Sequence, residues 1–488
     1  MPEDYSMLIK RLLSVPAEGS TVEFKENNSN PESIGRYISG LANSAALKSA
    51  YDDAYVVWGV EDGTHRLIGT SFNPKTKKIK QQNLELWLRQ NLSANADFTF
   101  ITHKEDEKEI VILRIKPALR TPVTFMGKTY IRTGSSLQEL KSENEKARQL
   151  WSALEQTPYE ERPALRHTNV QQVLSLLDYT RYFTQTNTPM PDNDEEILGY
   201  LEKEKLITRQ DSGQWAITNV GALLFAHSLD DFHDLSRKAL RIVHYYGTRR
   251  TAQTTRADAI WGYADFDRTF TTILDELPAR ENIDHALRQN ASVFPRLALR
   301  ELLANMLIHQ DLSVAGAGPL VEIFDDRIEF SNPGTSLIDV NRLVNDPPQS
   351  RNPLLSRLSR RLGMCEEAGS GWDKIIDSCE DAHLPPLAVT VQEDPPSMRV
   401  VMRQERSFKL LTVQERIEAA YWHACVQYAN NDFLTNTSLR ERFALPSANS
   451  TAISQVSRVI REAVDMNLLR PFDAEASRKN MRYVPGWA

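Results

Sequence analysis

A polar linker that carries two prolines limits how this chain can fold. Residues 156–163 read Gln-Thr-Pro-Tyr-Glu-Glu-Arg-Pro, which is typical of a connection between domains. Length alone suggests about three domains, at roughly 150 residues each, for a chain of 488 residues. We therefore expect several domains, with one boundary at this linker.

The composition excludes several classes of protein. The chain is 41% hydrophobic and 25% charged, with a net charge of −7, so it is not a wholly basic protein that coats nucleic acid. No apolar run approaches the roughly 20 residues of a membrane helix, and the N-terminus shows no signal peptide. Cys365, Cys379 and Cys425 form no CxxC pair and are too few for a disulfide framework. We expect a soluble cytoplasmic protein with no membrane partner.

Hydrophobic periodicity predicts a mixed α+β chain. Apolar residues at helical spacing predict a helix over 33–47, and short apolar runs predict strands at 55–60, 109–115 and 129–135. Further along, helix–helix–hairpin outlines suggest two winged-helix modules, on either side of a region where strands and helices alternate. The fold class is α+β multidomain, and the predicted domains are an α/β domain at 1–150, a winged-helix-like module at 165–230, an α/β sandwich at 231–405 and a C-terminal winged helix at 406–488.

Three carboxylates and a lysine form the first candidate site. Glu18, Glu23 and Lys25 lie in one short extended stretch, and Asp62 follows the strand at 55–60. If these elements are neighbours in one sheet, the acids would provide hard oxygen ligands for Mg²⁺ or Mn²⁺. Such a metal lowers the pKa of a bound water, and the lysine would neutralise developing charge. The alternative is a set of ordinary surface acids at strand ends.

The N-terminal region resembles the Schlafen core domain, also called the AlbA-type domain, over about 130 residues. The resemblance implies a metal-dependent RNase centre acting on tRNA, with Glu18, Glu23 and Asp62 as catalytic metal ligands and Lys25 beside them. It also allows a transcription regulator, since regulators carry the same Glu-Phe-Lys signature. The chain departs from many relatives by inserting residues 45–54. The matching stretches are Glu18-(x4)-Glu23-Phe-Lys25, Ile38-Ser-Gly-Leu-Ala-Asn43-Ser44, Trp58-Gly-Val-Glu-Asp62-Gly, Ile68-Gly69 and Tyr130-Ile-Arg132-Thr-Gly134-Ser.

A basic cluster follows the acids. It contains Lys75, Lys77, Lys78 and Lys80. These side chains could follow a phosphate backbone, or they could simply be a solvated loop.

A polar stripe marks the helix predicted at 295–309. Glu301, Asn305 and His309 recur at i, i+4 and i+8 on one helical face. The functional interpretation is a nucleotide site, in which Asn305 would coordinate Mg²⁺ and Glu301 would orient a water. Gly369 and Gly371 could bring backbone N–H groups to a phosphate. The alternative is a solvated helix face.

Residues from about 170 to 400 resemble the GHKL-like ATPase module, often labelled RecG-helicase-like. Two departures weaken the expected ATP chemistry. Ser331 stands in the turn where active GHKL enzymes carry an adenine-reading aspartate, and Gln310 and Leu312 replace the more usual Arg and Tyr. We therefore expect ATP binding to be weak or absent. The matching stretches are Thr218-Asn-Val-Gly221-Ala-Leu-Leu-Phe225, the polar stripe, Asp326-Arg-Ile-Glu-Phe-Ser-Asn332-Pro-Gly334, Arg351-Asn-Pro353 and Glu367-Ala-Gly369-Ser-Gly371.

The last module offers a second basic surface. Arg458 and Arg461 share a face of the helix predicted at 450–466, while Arg478, Lys479 and Arg482 lie on the predicted wing. A recognition helix that reads bases and a wing that contacts phosphates would bind DNA. The alternative is a dimerisation or scaffold module.

Together these patterns predict a Schlafen-type protein that acts on nucleic acid. The first hypothesis is a metal-dependent endonuclease with a preference for RNA, tRNA being one candidate, and a role in phage defence. The alternative is a non-catalytic, DNA-binding transcription regulator that responds to a nucleotide. Either would act as a homodimer or a higher homo-oligomer.

Overall fold

The computed structural model has the α+β multidomain architecture predicted from the sequence, with helices and several small sheets. The chain divides into two compact units. The first unit comprises Met1–Val173 and Asp194–Asn219, and the second comprises Leu174–Asn193 and Val220–Ala488. The structure describes residues 5–14, 19–49, 51–141, 145–156, 158–281, 290–344, 347, 349–365, 371–446, 449–473, 475, 477 and 481–488.

The predicted winged-helix-like module is divided between the units. Of its span, 165–230, residues 174–193 and 220–230 belong to the second unit and the remainder to the first. The stretch 1–150 lies wholly in the first unit, and 231–405 and 406–488 lie wholly in the second.

The first unit is built on a four-stranded sheet with the order β1-β2-β6-β5, in which only β1 and β2 are parallel. Its helices are α1 (Tyr5–Leu13), α2 (Pro31–Lys48), α3 (Leu84–Asn91), α4 (Glu145–Gln156), α5 (Val170–Leu176, which ends in the second unit) and α7 (Asp194–Lys203). Its strands are β1 (Val22–Lys25), β2 (Ala54–Trp58), β3 (Lys78–Ile79), β4 (Gln82–Asn83), β5 (Phe98–Glu105), β6 (Lys108–Ile115), β7 (Thr124–Phe125), β8 (Lys128–Thr133), β9 (Ser136–Glu139), β10 (Pro163–Thr168), β11 (Ile207–Arg209) and β12 (Trp215–Thr218).

Both faces of this sheet are covered. Because side chains alternate along a strand, Val56 and Trp58 join the core beneath α2, whereas Tyr55 and Val57 join the core beneath α1. All five residues of β2 are buried. This double burial explains why β2 is a continuous apolar run.

The second unit contains a six-stranded sheet with the order β14-β13-β17-β18-β20-β19, in which only β13 and β17 are parallel. Its helices are α6 (Tyr179–Gln185), α8 (Asn219–Phe225, which begins in the first unit), α9 (Phe266–Glu276), α10 (Arg296–His309), α11 (Pro353–Arg361), α12 (Gly371–Asp381), α13 (Val413–Ala429), α14 (Asn436–Arg442) and α15 (Ser450–Asp465). Its strands are β13 (Leu240–Tyr245), β14 (Thr254–Ala259), β15 (Ala279–Glu281), β16 (Asn290–Ser292), β17 (Leu320–Ile323), β18 (Arg327–Pro333), β19 (Ala388–Glu393), β20 (Pro396–Arg403), β21 (Leu469–Pro471) and β22 (Tyr483–Pro485).

The C-terminal part of the second unit has its own core. Helices α13, α14 and α15 pack together, and β21 pairs antiparallel with β22. This order of three helices and a hairpin agrees with the outline from which the C-terminal winged helix was inferred, and the winged-helix assignment itself stays a prediction. Within the described ranges, no helix combines the length and the apolar character that crossing a bilayer requires.

A close helix contact in the first unit gives a test of this fold. A Cβ added to Gly35 of α2 would lie 2.2 Å from the ring of Phe125, which is fully buried. We expect Gly35→Ala to destabilise the first unit by about 1–3 kcal/mol, because the ring has no space to retreat into.

Gly199→Ala in α7 is the matched control. No atom lies within 4 Å of its added Cβ, so we expect a gain of up to about 1 kcal/mol from helix propensity. Hydrogen exchange of the first-unit amides in the full-length variants measures both effects. Equal effects of the two substitutions would contradict this packing.

Candidate functional site

Glu23 is held by two cations. Its Oε1 lies 2.5 Å from Lys25 Nζ, and its Oε2 lies 2.6 Å from Arg132 Nη1. The side chains of Glu23 and Arg132 are 5% and 0% exposed, so this ion pair is removed from water. A buried carboxylate requires such partners, because its charge loses the solvation that water provides.

The Arg132 guanidinium is positioned by residues of the Schlafen-like motif. Asn43 of α2 donates through Nδ2 to the carbonyl oxygens of Val123 and Tyr130, at 2.9 and 2.8 Å. Ser44 Oγ accepts the backbone N–H of Arg132 at 2.8 Å. The guanidinium donates in addition to Val22 O at 3.0 Å. These bonds fasten β8 to α2 and direct Arg132 towards Glu23.

Of the two other predicted acids, the structure describes Asp62. Asp62 is exposed in the turn after β2, and Glu18 lies outside the described residues. The His65 ring packs on Phe24, 4.5 Å between ring centroids, and Phe24 alternates with Glu23 along β1. His65 therefore lies on the face of the sheet opposite to Glu23.

The described residues do not fit a Mg²⁺ or Mn²⁺ centre. Among them, no three His, Cys, Asp or Glu side chains are grouped closely enough to hold a metal ion. A metal at Glu23 would have to compete with Lys25 and Arg132 for both carboxylate oxygens. The charge balance at Glu23 favours a structural role for this residue.

Tyr37 lies beside the ion pair. Its ring is 5.7 Å from Lys25 Nζ. Burial, followed by the negative charge of Glu23, raises the pKa of the Tyr37 hydroxyl above its ordinary value. The residue is therefore protonated at neutral pH and contributes a neutral hydroxyl to the cluster.

The lysine cluster lies at the surface of the first unit. Lys75, Lys78 and Lys80 are exposed, and Lys77 Nζ donates to Ser29 Oγ at 3.3 Å. The exposure of these three lysines would let their ammonium groups contact a phosphate backbone. It is equally consistent with a solvated loop.

The second unit contains a cavity of about 370 Å³ beside α10. This volume is within the range of about 300–1,000 Å³ found for small-molecule sites. Glu301 and Asn305 both line this cavity. Gly371, the first residue of α12, packs closely against Glu301, because a Cβ added to Gly371 would lie 3.2 Å from Glu301 Oε2. Polar and charged side chains in the wall include Glu301, Asn305, His309, Asn332, Arg351 and Lys374.

Burial shifts the pKa values of two groups in this wall. Burial raises the pKa of the Glu301 carboxyl, and the positive charges of Lys374 and Arg300 partly oppose the rise. Burial, together with the charge of Arg351, lowers the pKa of His309 to about 4. At neutral pH the cavity therefore presents a neutral His309 imidazole.

Two residues of the GHKL-like stretches have structural partners. Asn352 Nδ2 donates to Ile308 O and Gln310 O, both at 2.8 Å, and so fastens the end of α10. Gln310 is fully buried and donates to Tyr263 Oη at 3.0 Å. The replacement of the usual Arg by Gln310 therefore suits a buried position in this chain. Gly369 lies outside the described residues.

The basic side chains of the C-terminal part are only partly described. Arg458 and Arg461 are exposed on α15, and Arg458 Nε donates to Glu462 Oε1 at 2.9 Å. Arg482 lies over the Phe433 ring, with its guanidinium carbon 5.2 Å from the ring centroid. Arg478 and Lys479 lie outside the described residues.

Sequence reasoning did not assign two sets of residues that the structure brings to these sites. Arg132 stands in a quoted motif but was given no role, although it is the buried counter-ion of Glu23. Arg351 and Lys374 line the cavity from segments distant in sequence. An arginine placed inside an apolar strand run is the one signal that could have identified Arg132.

Comparisons with known proteins identify two regions. Residues 18–141 match the family described as "Schlafen, AlbA_2", and residues 316–402 match the family described as "Putative ATP-dependent DNA helicase recG C-terminal". Both matches confirm the resemblances inferred from the motifs. Together the two matched domains indicate a protein that acts on nucleic acid.

The comparison with curated proteins finds no relative of this chain. Among solved structures, the chain is similar to the crystal structure of the DIP2311 protein from Corynebacterium diphtheriae. The two share 15% sequence identity and a TM-score of 0.41, over 99% of this chain and 97% of that chain.

The low pKa of His309 predicts acid sensitivity of the second unit. An unfolded histidine gains its proton near pH 6.5, whereas folded His309 resists protonation until about pH 4. The unfolded state therefore binds more protons between these values, and stability falls as the pH falls from 6.5 to 4. By pH 5 the loss reaches about 2 kcal/mol, from 1.36 kcal/mol for each pKa unit.

We expect His309→Gln to lack this part of the acid destabilisation. Urea unfolding at pH 7 and pH 5, followed by hydrogen exchange in α10, measures the difference. His233→Gln is the control, because the His233 side chain is fully exposed. An equal loss between pH 7 and pH 5 in wild type and His309→Gln would show that His309 is not the group responsible.

Proposed function

We propose that this protein is a nucleic-acid-binding regulator that responds to a nucleotide bound in the second unit. The observation that carries the proposal is the position of α12. The helix starts at Gly371 against Glu301 and Asn305 of the cavity, and Glu380 near its other end contacts the C-terminal helices. Eleven residues of α-helix span about 16 Å at 1.5 Å per residue.

The contacts at the far end of α12 are charged and buried. Glu380 Oε2 lies 2.7 Å from His423 Nδ1 of α13, and Glu380 Oε1 lies 3.1 Å from Arg442 Nε of α14. Arg442 also donates to Leu384 O at 2.6 Å. A movement of α12 at the cavity would therefore be transmitted to α13 and α14, since breaking a buried pair is costly.

A second connection joins another part of the cavity lining to α13. Leu337 and Ile338 line the cavity, and the short 3-10 turn Val340–Arg342 follows them. Tyr421 Oη donates to Asn341 O and accepts from Trp487 Nε1 at 3.0 Å. The guanidinium of Arg342 lies 5.0 Å from the Trp487 ring centroid. Two segments that line the cavity thus connect to the C-terminal helices, which supports coupling between the cavity and those helices.

The ligand class follows from the cavity and the family match. A cavity of about 370 Å³ with Arg351 and Lys374 in its wall provides room and positive charge for a nucleotide. The missing aspartate at Ser331 still argues for modest affinity. ATP or a related purine nucleotide is therefore the proposed ligand, and ATP hydrolysis is not part of the proposal.

The Glu23 ion pair supports binding rather than cleavage by the first unit. The alternative is the metal-dependent endonuclease inferred from the N-terminal motif, with a preference for RNA such as tRNA, a Mg²⁺ or Mn²⁺ cofactor and a role in phage defence. The family match at 18–141 includes Glu18, Glu23 and Asp62, which keeps this alternative open to test. The homodimer also stays a prediction.

The coupling through α12 can be tested by the effect of nucleotide on nucleic-acid affinity. We expect ATP to change the Kd of the wild type for DNA or RNA by at least about fivefold, the lower end of common coupling. Asn305→Ala should lose ATP binding and the response together. Tyr421→Phe and Glu380→Gln should retain ATP binding but reduce the response.

The matched control for Glu380→Gln is Asp381→Asn, an exposed acid at the end of the same helix. Tyr421→Phe keeps the test valid if Glu380→Gln fails to fold. Calorimetry with ATP and anisotropy of labelled nucleic acid provide the two readouts. A nucleic-acid affinity that ATP leaves unchanged, in a protein shown to bind ATP, would refute the coupling.

The Glu23 cluster gives a test of binder against nuclease. We expect no cleavage of structured RNA, single-stranded RNA or duplex DNA by the wild type with Mg²⁺ or Mn²⁺. Glu23→Gln should destabilise the first unit by about 3–5 kcal/mol, because Arg132 is left buried without its counter-ion. Asp62→Asn should leave stability within about 0.5 kcal/mol, as an exposed substitution usually does.

A nuclease would behave differently. Wild-type cleavage that falls by orders of magnitude in both Glu23→Gln and Asp62→Asn, and that EDTA abolishes, would establish the metal-dependent alternative. Gel assays of the three substrates, together with hydrogen exchange of the first unit, distinguish these outcomes.

A further inference from the structure

We propose that Phe433, Phe472 and Arg482 form a stacking platform that binds an unpaired base, so that the C-terminal hairpin prefers single-stranded nucleic acid. This inference rests on the proposed function and specifies the form of nucleic acid that the C-terminal part recognises.

Backbone hydrogen bonds hold the three residues in place. Phe472 follows β21, and its N–H donates to Arg482 O at 2.9 Å. Leu434 and Tyr483 exchange two backbone hydrogen bonds, at 3.0 and 2.9 Å, in an antiparallel bridge, which places Phe433 and Arg482 diagonally on the same face. The platform therefore lies on a paired backbone and needs no rearrangement to form.

The side chains form a layered surface. The rings of Phe433 and Phe472 are 4.6 Å apart between centroids and tilted by 51°. The Arg482 guanidinium lies 5.2 Å from the Phe433 centroid. Phe472 is 56% exposed, so one side of the aromatic pair is open to solvent.

The pair is not part of the C-terminal core. That core is made by other residues of the same elements, such as Leu469, Leu434 and Val456, and neither Phe433 nor Phe472 belongs to it. A single exposed apolar side chain would need no explanation. An exposed ring that packs against a second ring, itself in contact with an arginine, is instead an arrangement that suits base stacking with phosphate contact.

Local charge supports a nucleic-acid partner. Residues 470–482 contain four basic residues, Arg470, Arg478, Lys479 and Arg482, against two acidic ones, Asp473 and Glu475. This segment is thus positive by 4 − 2 = +2 in a chain whose net charge is −7. A stretch of opposite sign to the whole protein favours local contact with phosphates.

The exposed ring discriminates between single strands and duplexes. In a duplex both faces of each base are covered by neighbouring base pairs, whereas an unpaired base can place its face on an aromatic ring. The platform therefore adds affinity only for single-stranded segments or loops.

The test compares binding of a labelled single strand and its duplex by anisotropy, with the full-length protein. We expect Phe472→Ala to weaken single-strand binding about tenfold and to leave duplex binding within about twofold. Phe472→Trp should retain the affinity for the single strand, because it keeps an aromatic face. Arg482→Gln should reduce the dependence of binding on salt concentration, because a phosphate contact is lost.

Met466→Ala is the matched control, since Met466 is 50% exposed at the end of α15 without an aromatic ring. Circular dichroism of each variant confirms that the fold is kept. Wild-type single-strand binding that Phe472→Ala leaves unchanged would overturn the platform while leaving the proposed function standing. A wild type that binds neither single strand nor duplex would overturn both.

Discussion

A carboxylate that is buried away from water must be neutralised by a cation or by hydrogen bonds, and this requirement joins distant segments of the chain. Glu23 is paired with Arg132, which lies more than a hundred residues later. Glu380 of α12 is paired with Arg442 of α14. In each unit, a buried acid therefore joins segments that are distant in the sequence.

The six-stranded sheet also contains buried acids that must be neutralised by cations. Glu322 and Glu329 face each other across β17 and β18, a position in which like charges repel. Arg250 bridges them, with Nη2 at 2.7 Å from Glu322 Oε2 and 2.9 Å from Glu329 Oε2. Arg327 Nε adds a contact of 2.7 Å to Glu329. The loop after β13 is thereby fixed to the sheet by charge rather than by apolar packing.

Local periodicity predicted the elements whose signal lies within one segment. The helix expected at 33–47 is α2, and the helix expected at 295–309 is α10, each within two residues. The hairpin strands β19 and β20 and the helix α12 were not predicted. Gly369 and Gly371 were interpreted as a phosphate turn, so the apolar spacing of Ile375, Ile376 and Cys379 after them was overlooked.

The candidate sites were harder to predict because they depend on pairing between segments. The sequence contains Glu23 and Arg132, but no local pattern states that they meet. Their contact follows from the bonds of Asn43 and Ser44 to the segment that carries Arg132. The acid motif predicted a metal centre, and that centre stays a prediction. The structure shows one of its acids, Glu23, in a buried ion pair with Arg132. In contrast, Glu301 and Asn305 share one helix face, so their common position at the cavity could be anticipated.

The inserted stretch at 45–54 explains where the hairpin β11–β12 lies. Lys48 forms an ion pair with Asp211, Gln210 Nε2 donates to Tyr51 O at 2.7 Å, and the Asp211 N–H donates to Asp52 Oδ1 at 3.0 Å. Next to them, His167 Nε2 donates to the buried Asp53 at 2.9 Å. Burial alone would raise the pKa of Asp53, but the hydrogen bond from His167 and the charge of Arg166 lower it on balance.

This anchoring changes how the hairpin should be interpreted. A wing that contacts nucleic acid needs a free tip, yet the tip around Gln210 and Asp211 is bonded to the inserted stretch within the first unit. Residues 45–54 therefore hold the tip of the hairpin β11–β12 through these bonds. In the C-terminal hairpin β21–β22, by contrast, Phe472 beside the strand β21 is exposed to solvent.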